Sequence, residues 1–235
     1  MTTTTPPTHL PPPYAPTDSD SDPDSTFRHI ITSMLNSHHH KFGFLIYRVN
    51  YDNDALWQNY LNIIDQQTRE YVVLEKKEHL LPHIAWTPME DREKFEGATK
   101  DEIREFFRDW IHERSEDRDG PGAGVDNTEL IRWSPRYKAC MYVNGEMMQG
   151  AKMQTVDFLP GGPQLHVQGK GVVVDGQYDE HDRDVLRRSA VGAREDFEEV
   201  EGRRGWDVGW MYFTLRGVHM VYETLCMSEE EWTSP

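Results

Sequence analysis

Cysteine, long apolar runs and positive charge are all scarce in this sequence, and each scarcity excludes a class of protein. Only two of the 235 residues are cysteines, Cys140 and Cys226, and each stands in an apolar stretch. Small secreted domains usually have more, paired cysteines, so we expect free buried thiols in an intracellular protein, cytoplasmic or nuclear. No apolar run approaches the ~18 residues of a membrane span. The first residues also lack the basic and apolar regions of a secretory signal.

Positive charge is outnumbered throughout the chain. Lysine and arginine total 25 against 41 acidic residues, which gives a formal net charge of −16. Such a surface repels phosphate backbones and anionic lipid. We therefore expect neither nucleic acid nor a membrane as a partner.

Signatures of catalysis are missing as well. The sequence has no Gly-x-Ser-x-Gly, no Gly-x-Gly-x-x-Gly, no Walker loop and no His-Glu-x-x-His. These patterns mark serine nucleophiles, phosphate loops and zinc proteases. No cofactor is predicted.

The most definite local signal is a helix over residues 99–114. Thr99 and Glu102 have the spacing of a capping box, which satisfies free backbone N–H groups of the first turn. Apolar residues then recur at helical spacing and form one stripe: Ile103, Phe106, Phe107, Trp110 and Ile111. We expect this stripe to pack against a sheet that includes residues 42–51.

Alternating helix and strand patterns define the fold class. Strands are predicted at 42–51, 137–143, 169–176 and 206–215, with an extended piece at 82–91 and further helices at 52–70 and 218–225. This order predicts an α+β domain with a single mixed or antiparallel sheet of three to five strands, packed by helices on one face. A ferredoxin-like arrangement of part of the sheet is one topology that fits.

Composition divides the chain into four parts. Residues 1–26 are rich in Thr, Pro, Ser and Asp and are predicted to be a disordered tail, and 27–41 form a linker that includes a short helix. Residues 42–227 form the domain, with flexible loops near 116–128 and 178–205, and 228–235 are an acidic end. The Asn144-Gly145 pair predicts a hairpin. Residues 150–168 are predicted to be a loop.

One charged residue interrupts the first strand. Arg48 shares a face with Phe44 and Ile46 by strand alternation. It either pairs with an acid at the strand end or binds an anionic ligand. Glu90 and Asp91 are the best carboxylate pair for acid–base chemistry, and ion pairs at a turn are their plainer interpretation. Together with Arg48 they define a hypothetical enzyme with a cleft at the strand ends.

Aromatic and histidine clusters supply two other hypotheses. Trp86, Trp206 and Trp210 are candidate anchors for a protein partner or a small ligand, although core packing is the favoured interpretation for most of them. His38, His39 and His40 are weak candidates for a metal site, because adjacent side chains do not converge on one ion in a regular element. The favoured hypothesis is a non-catalytic domain that binds another protein or a small molecule; an enzyme and a metal-binding protein are the alternatives.

Four stretches together resemble an uncharacterised protein family of filamentous fungi: residues 43–48, 86–92, 136–143 and 207–211. The likeness covers about residues 42 to 225. It implies a fungal source and one domain. That family has no established activity, so the resemblance assigns no functional residue.

Overall fold

The computed structural model describes residues 14–17, 20, 27–156, 164–178 and 209–227. Its class is α+β, as predicted, and its centre is a five-stranded mixed sheet. The strands are β1 (Leu45–Arg48), β2 (Thr87–Met89), β3 (Ala139–Val143), β4 (Lys152–Val156), β5 (Gln164–Gln168), β6 (Lys170–Asp175) and β7 (Trp210–Thr214). Strands β4 and β5 form a separate antiparallel pair.

The sheet has the order β2-β1-β3-β6-β7. Strand β1 pairs in parallel with both β2 and β3, whereas β3–β6 and β6–β7 are antiparallel. The two parallel pairs and this strand order differ from the antiparallel ferredoxin-like sheet, so that finer prediction is wrong. The mixed sheet of three to five strands is confirmed.

The described helices surround this sheet. They are α1 (Arg28–Ser37), α2 (Asp54–Leu74), α3 (Arg92–Phe95), α4 (Lys100–His112), α5 (Glu116–Asp119), α6 (Thr128–Trp133), α7 (Gly145–Gly150) and α8 (Val218–Met227), with 3-10 turns at Glu78–His83, Pro135–Tyr137 and Leu215–Gly217. Within the described ranges, no helix is long and apolar enough to span a bilayer.

Helices cover both faces of the sheet rather than the one face expected. Tyr222 of α8 packs on Phe44 with ring centroids 4.9 Å apart. On the opposite face, Phe95 of α3 lies edge-on to Tyr47 of β1 at 5.2 Å. All four side chains of β1 are buried, because a strand covered on both sides must be apolar on both sides.

Helix α4 forms as the sequence predicts. Thr99 and Glu102 make both hydrogen bonds of the capping box. Ile103, Phe107 and Ile111 are fully buried, and Phe106 and Trp110 pack at the edge of the core. The stripe therefore lies on the sheet that contains β1, as expected.

Two predictions about residues 144–168 are wrong. Residues Gly145–Gly150 form helix α7 instead of a hairpin strand, since the Asn144 side chain accepts the Met147 N–H and caps the helix. The expected loop at 150–168 includes β4 and β5. Part of the loop predicted near 116–128 is also helical, in α5. The predicted loop at 178–205 beyond Tyr178, and the end at 228–235, lie outside the described residues.

Part of the front segment is docked on the domain. Tyr14 is buried and donates a hydrogen bond to Asp20 at 2.6 Å. The other carboxylate oxygen of Asp20 lies 3.0 Å from His79 and 3.4 Å from Lys77. The prediction of a solvated tail is therefore wrong at Tyr14 and Asp20, because burial of the ring and a charge-paired carboxylate hold them.

The linker at 27–41 is mostly helix α1, whose N-terminus is capped from another helix. Glu223 of α8 accepts hydrogen bonds from the backbone N–H groups of His29 (2.7 Å) and Ile30 (2.9 Å), and its carboxylate lies 2.9 Å from the His29 ring. The N-cap residue Phe27 supplies no side-chain bond. Glu223 thus joins the first and last described helices.

Candidate functional site

Arg48, the first candidate from the sequence, is committed to structural contacts. Its guanidinium donates to the carbonyl of Asn50 at 2.9 Å, to Asp54 at 2.7 Å and to Glu90 at 3.3 Å. It also lies over the ring of Tyr51, 4.5 Å from the centroid. The side chain is 3% exposed. These contacts match the interpretation of Arg48 as a structural ion-pair partner.

Glu90 and Asp91 lie beside Arg48, but they have separate tasks. Glu90 is an exposed partner of the Arg48 guanidinium. Asp91 caps α3, since its side chain accepts the backbone N–H of Lys94 at 3.2 Å. The structure therefore brings the three predicted catalytic residues to one strand end, where their polar atoms already bind protein groups.

Of the three candidate tryptophans, the structure describes Trp86 and Trp210. Trp86 is half-buried and packs against Phe44 at 6.0 Å. Trp210 is 8% exposed and lies beside the ammonium group of Lys100. Trp206 lies outside the described residues. Trp210 is therefore buried, and Trp86 packs partly buried against the core.

The three adjacent histidines differ in exposure: His38 is exposed, His39 is buried and His40 is half-buried. His38 is exposed and ends α1 in a left-handed conformation (φ 53°). His39 is buried against Tyr137, and burial, together with the positive charge of Arg136, lowers the pKa of His39 to about 4. Across the described ranges, no three His, Cys, Asp or Glu side chains are grouped to hold a metal ion.

A cleft of about 720 Å³ lies away from these residues, where β6 begins and β7 ends. Helix α7 forms one wall, and the end of β5 with the start of β6 forms another. Its side chains include Asn144, Glu146, Met147, His166, Val167, Gln168, Lys170, Tyr212 and Thr214. The volume falls in the ~300–1,000 Å³ range of small-ligand sites.

Strand register places the cleft. Lys170 of β6 lies directly opposite Thr214 of β7, and Val172 lies opposite Tyr212. Because side chains alternate along a strand, Lys170, Thr214 and Tyr212 share one sheet face. Asn144 directly follows the last residue of β3 and lines the same cleft.

Gly169 makes the bend between β5 and β6 that opens the cleft. Its φ of +126° is a conformation that side-chain-bearing residues rarely adopt. A Cβ at this position would lie 2.9 Å from a Leu215 side-chain carbon and 3.0 Å from the Ala151 Cα. Only glycine fits this bend, where the chain passes from β5 to β6 close to Ala151 and Leu215.

The charged side chains of the cleft differ from the buried charges of the fold. Arg104, for example, is 4% exposed and donates to Asp101 and to the carbonyls of Asp175 and Gly209. The side chains of Glu146 and Lys170 are exposed and form no ion pair with a residue of the described structure. The cleft therefore offers a carboxylate and an ammonium group to a ligand.

Sequence reasoning missed this site. Gly169-Lys170 reads as a simple turn, and Glu146, His166 and Tyr212 carry no motif. The only local signal is a glycine between two β-favouring runs, which marks a bend or a close backbone approach.

The chain matches no family model, no curated protein and no solved structure. The arrangement of the cleft is therefore the basis for a functional argument.

Proposed function

We propose that this chain is a small-ligand-binding domain and that the ligand occupies the cleft between α7 and β5–β7. The observation that supports this proposal is a concave site of about 720 Å³ whose acidic and basic side chains have no partner among the described residues. Ligand sites combine apolar walls with a few polar groups that fix orientation. Met147 and Val167 supply the apolar wall, and Asn144 and Thr214 the neutral polar groups.

The proposal extends the favoured sequence hypothesis and places it at other residues. The proposal includes a small molecule rather than nucleic acid as partner, which the net charge of −16 supports, and an intracellular location, which the low cysteine count supports. The enzyme hypothesis at Arg48 has less support, since that guanidinium is already bound by protein groups.

A blocking variant tests the site. A Cβ at Gly150 meets no atom within 4 Å, so Gly150→Trp directs an indole into the cleft without a backbone clash. Gly124→Trp is the matched control, because it makes the same change away from the cleft with only one ordinary contact at 3.9 Å. Both variants and the wild type are screened against one fragment library by ligand-observed NMR.

We expect fragments that bind the wild type and Gly124→Trp equally and that no longer bind Gly150→Trp. Circular dichroism checks that both variants fold. Binding that survives in a folded Gly150→Trp protein, or no bound fragment at all, would refute the proposal.

A further inference from the structure

The cleft carries opposite charges on opposite structural elements. Glu146 is exposed on α7, and Lys170 is exposed where β6 begins. Neither forms an ion pair with a described residue. A ligand with a single charge would meet attraction at one wall and repulsion at the other. A ligand with both charges is complementary to both.

The basic side also offers further hydrogen-bond donors suited to a carboxylate. Thr214 lies directly across from Lys170 in the β6–β7 register, so a hydroxyl and an ammonium group stand side by side. His166 on β5 is exposed and lines the same cleft. A carboxylate with two or more donors gains charge-assisted hydrogen bonds, which are stronger than neutral ones.

The sheet contributes an aromatic side chain to the cleft. Tyr212 lines the cleft with its side chain 51% exposed, while Met147 is 6% exposed and contributes to the floor. An exposed tyrosine ring provides a flat surface on which an apolar or aromatic group packs. The volume of about 720 Å³ exceeds the needs of a single amino acid and suits a chain of a few residues.

On the basis of the proposed function, we infer that the ligand is a short peptide with free termini, bound with its carboxylate toward Lys170 and its ammonium group toward Glu146. An apolar or aromatic side chain of the peptide packs on Tyr212. No covalent step is involved.

A cycle of capped peptides and charge variants tests this inference. The probe is the tripeptide Gly-Phe-Gly in four forms: free, N-acetylated, C-amidated and doubly capped. Affinities are measured by calorimetry with the wild type, Lys170→Gln, Glu146→Gln and the control Lys152→Gln. Lys152 is exposed on β4 and does not line the cleft, so its substitution repeats the charge change at another site.

We expect amidation to weaken binding to the wild type and to Lys152→Gln by about tenfold, as for a charge-assisted hydrogen bond. Amidation should have a clearly smaller effect in Lys170→Gln, where only Thr214 and His166 remain to bind the carboxylate. Acetylation should likewise have a clearly smaller effect in Glu146→Gln. Equal binding of all four forms, or losses that are the same in every variant, would overturn the assignment of the termini.

The fragment screen separates failure of this inference from failure of the proposed function. Fragments excluded by Gly150→Trp, combined with no binding of any Gly-Phe-Gly form, would keep the cleft as a ligand site and reject peptides. No binding in either experiment would reject both.

Discussion

His219 gives the sharpest test of the packing between α1, α2 and α8. Its ring is 1% exposed and lies 3.8 Å from the Tyr71 ring and 6.2 Å from the Phe27 ring, and neither ring nitrogen has a hydrogen-bond partner among the described residues. Burial lowers its pKa to about 4, from an ordinary value of 6.5. We predict that His219→Phe stabilises the protein in weak acid and changes little at neutral pH.

The sign follows from proton binding. Between pH 6.5 and 4 the unfolded chain protonates this imidazole while the folded protein does not, so stability falls as pH falls through that window. With these two pKa values the cost at pH 5 is about 2 kcal/mol, and it vanishes above pH 7.5. Phenylalanine keeps the ring packing and has no proton to bind. The variant should therefore gain about 2 kcal/mol at pH 5.

Urea unfolding followed by tryptophan fluorescence at pH 5.0 and 7.5 measures this difference. Met220→Phe is the control, since Met220 is 53% exposed on the same helix and the substitution adds a ring without removing a titratable group. His39 also has a pKa lowered to about 4, so the variant should retain part of the acid sensitivity. If His219→Phe and the wild type lose the same stability between the two pH values, the imidazole is not buried and neutral.

Three further predictions concern the contacts that hold the fold. Arg48→Met should lower the free energy of unfolding by about 1 to 2 kcal/mol, because the hydrogen bonds of a buried guanidinium are lost while its partners Asp54 and Glu90 stay in contact with solvent. It should leave fragment binding unchanged, and a folded variant that loses binding would return Arg48 to the site. Glu223→Ala should cost about 2 kcal/mol in urea unfolding through the lost cap of α1, with the exposed Thr224→Ala as a near-neutral control. Burial alone would raise the pKa of Asp20, but hydrogen bonds from Tyr14 and Thr17 lower it to about 2, so its stabilisation holds above pH 4 and is lost toward pH 2. Asp20→Asn should thus speed proteolysis before residue 27 at pH 7 and leave the rate at pH 2.5 closer to wild type, whereas equal rates at pH 7 would contradict docking.

Local pattern was sufficient where one element determines its own structure. The capping box and the stripe of α4 lie within fourteen residues, and both appear as predicted. Strand β1 was predicted from a continuous run of β-favouring residues, and its burial on both faces explains that run. These signals are formed by residues close together in the chain, so they can be recognised from the sequence alone.

The Asn144-Gly145 pair shows where local pattern is ambiguous. The same two residues favour a hairpin turn and a helix start, because asparagine is a good N-cap. Burial of Met147 and Met148 decides between them, since a helix places both side chains in the core. That decision depends on the tertiary environment and was not available from the dipeptide.

The candidate site depends on long-range register and was therefore invisible in the sequence. Glu146, His166, Lys170 and Tyr212 come from four elements, and only the β3–β6–β7 pairing and the bend at Gly169 bring them to one cleft. Arg48 presents the opposite case, because a lone cation in an apolar strand looks the same whether its partner is a ligand or the protein. Its contacts with Asn50 and Asp54 answer that question for Arg48. By the same criterion, a charge without a protein partner inside a cleft is the better guide to ligand binding, and this criterion favours Lys170 and Glu146.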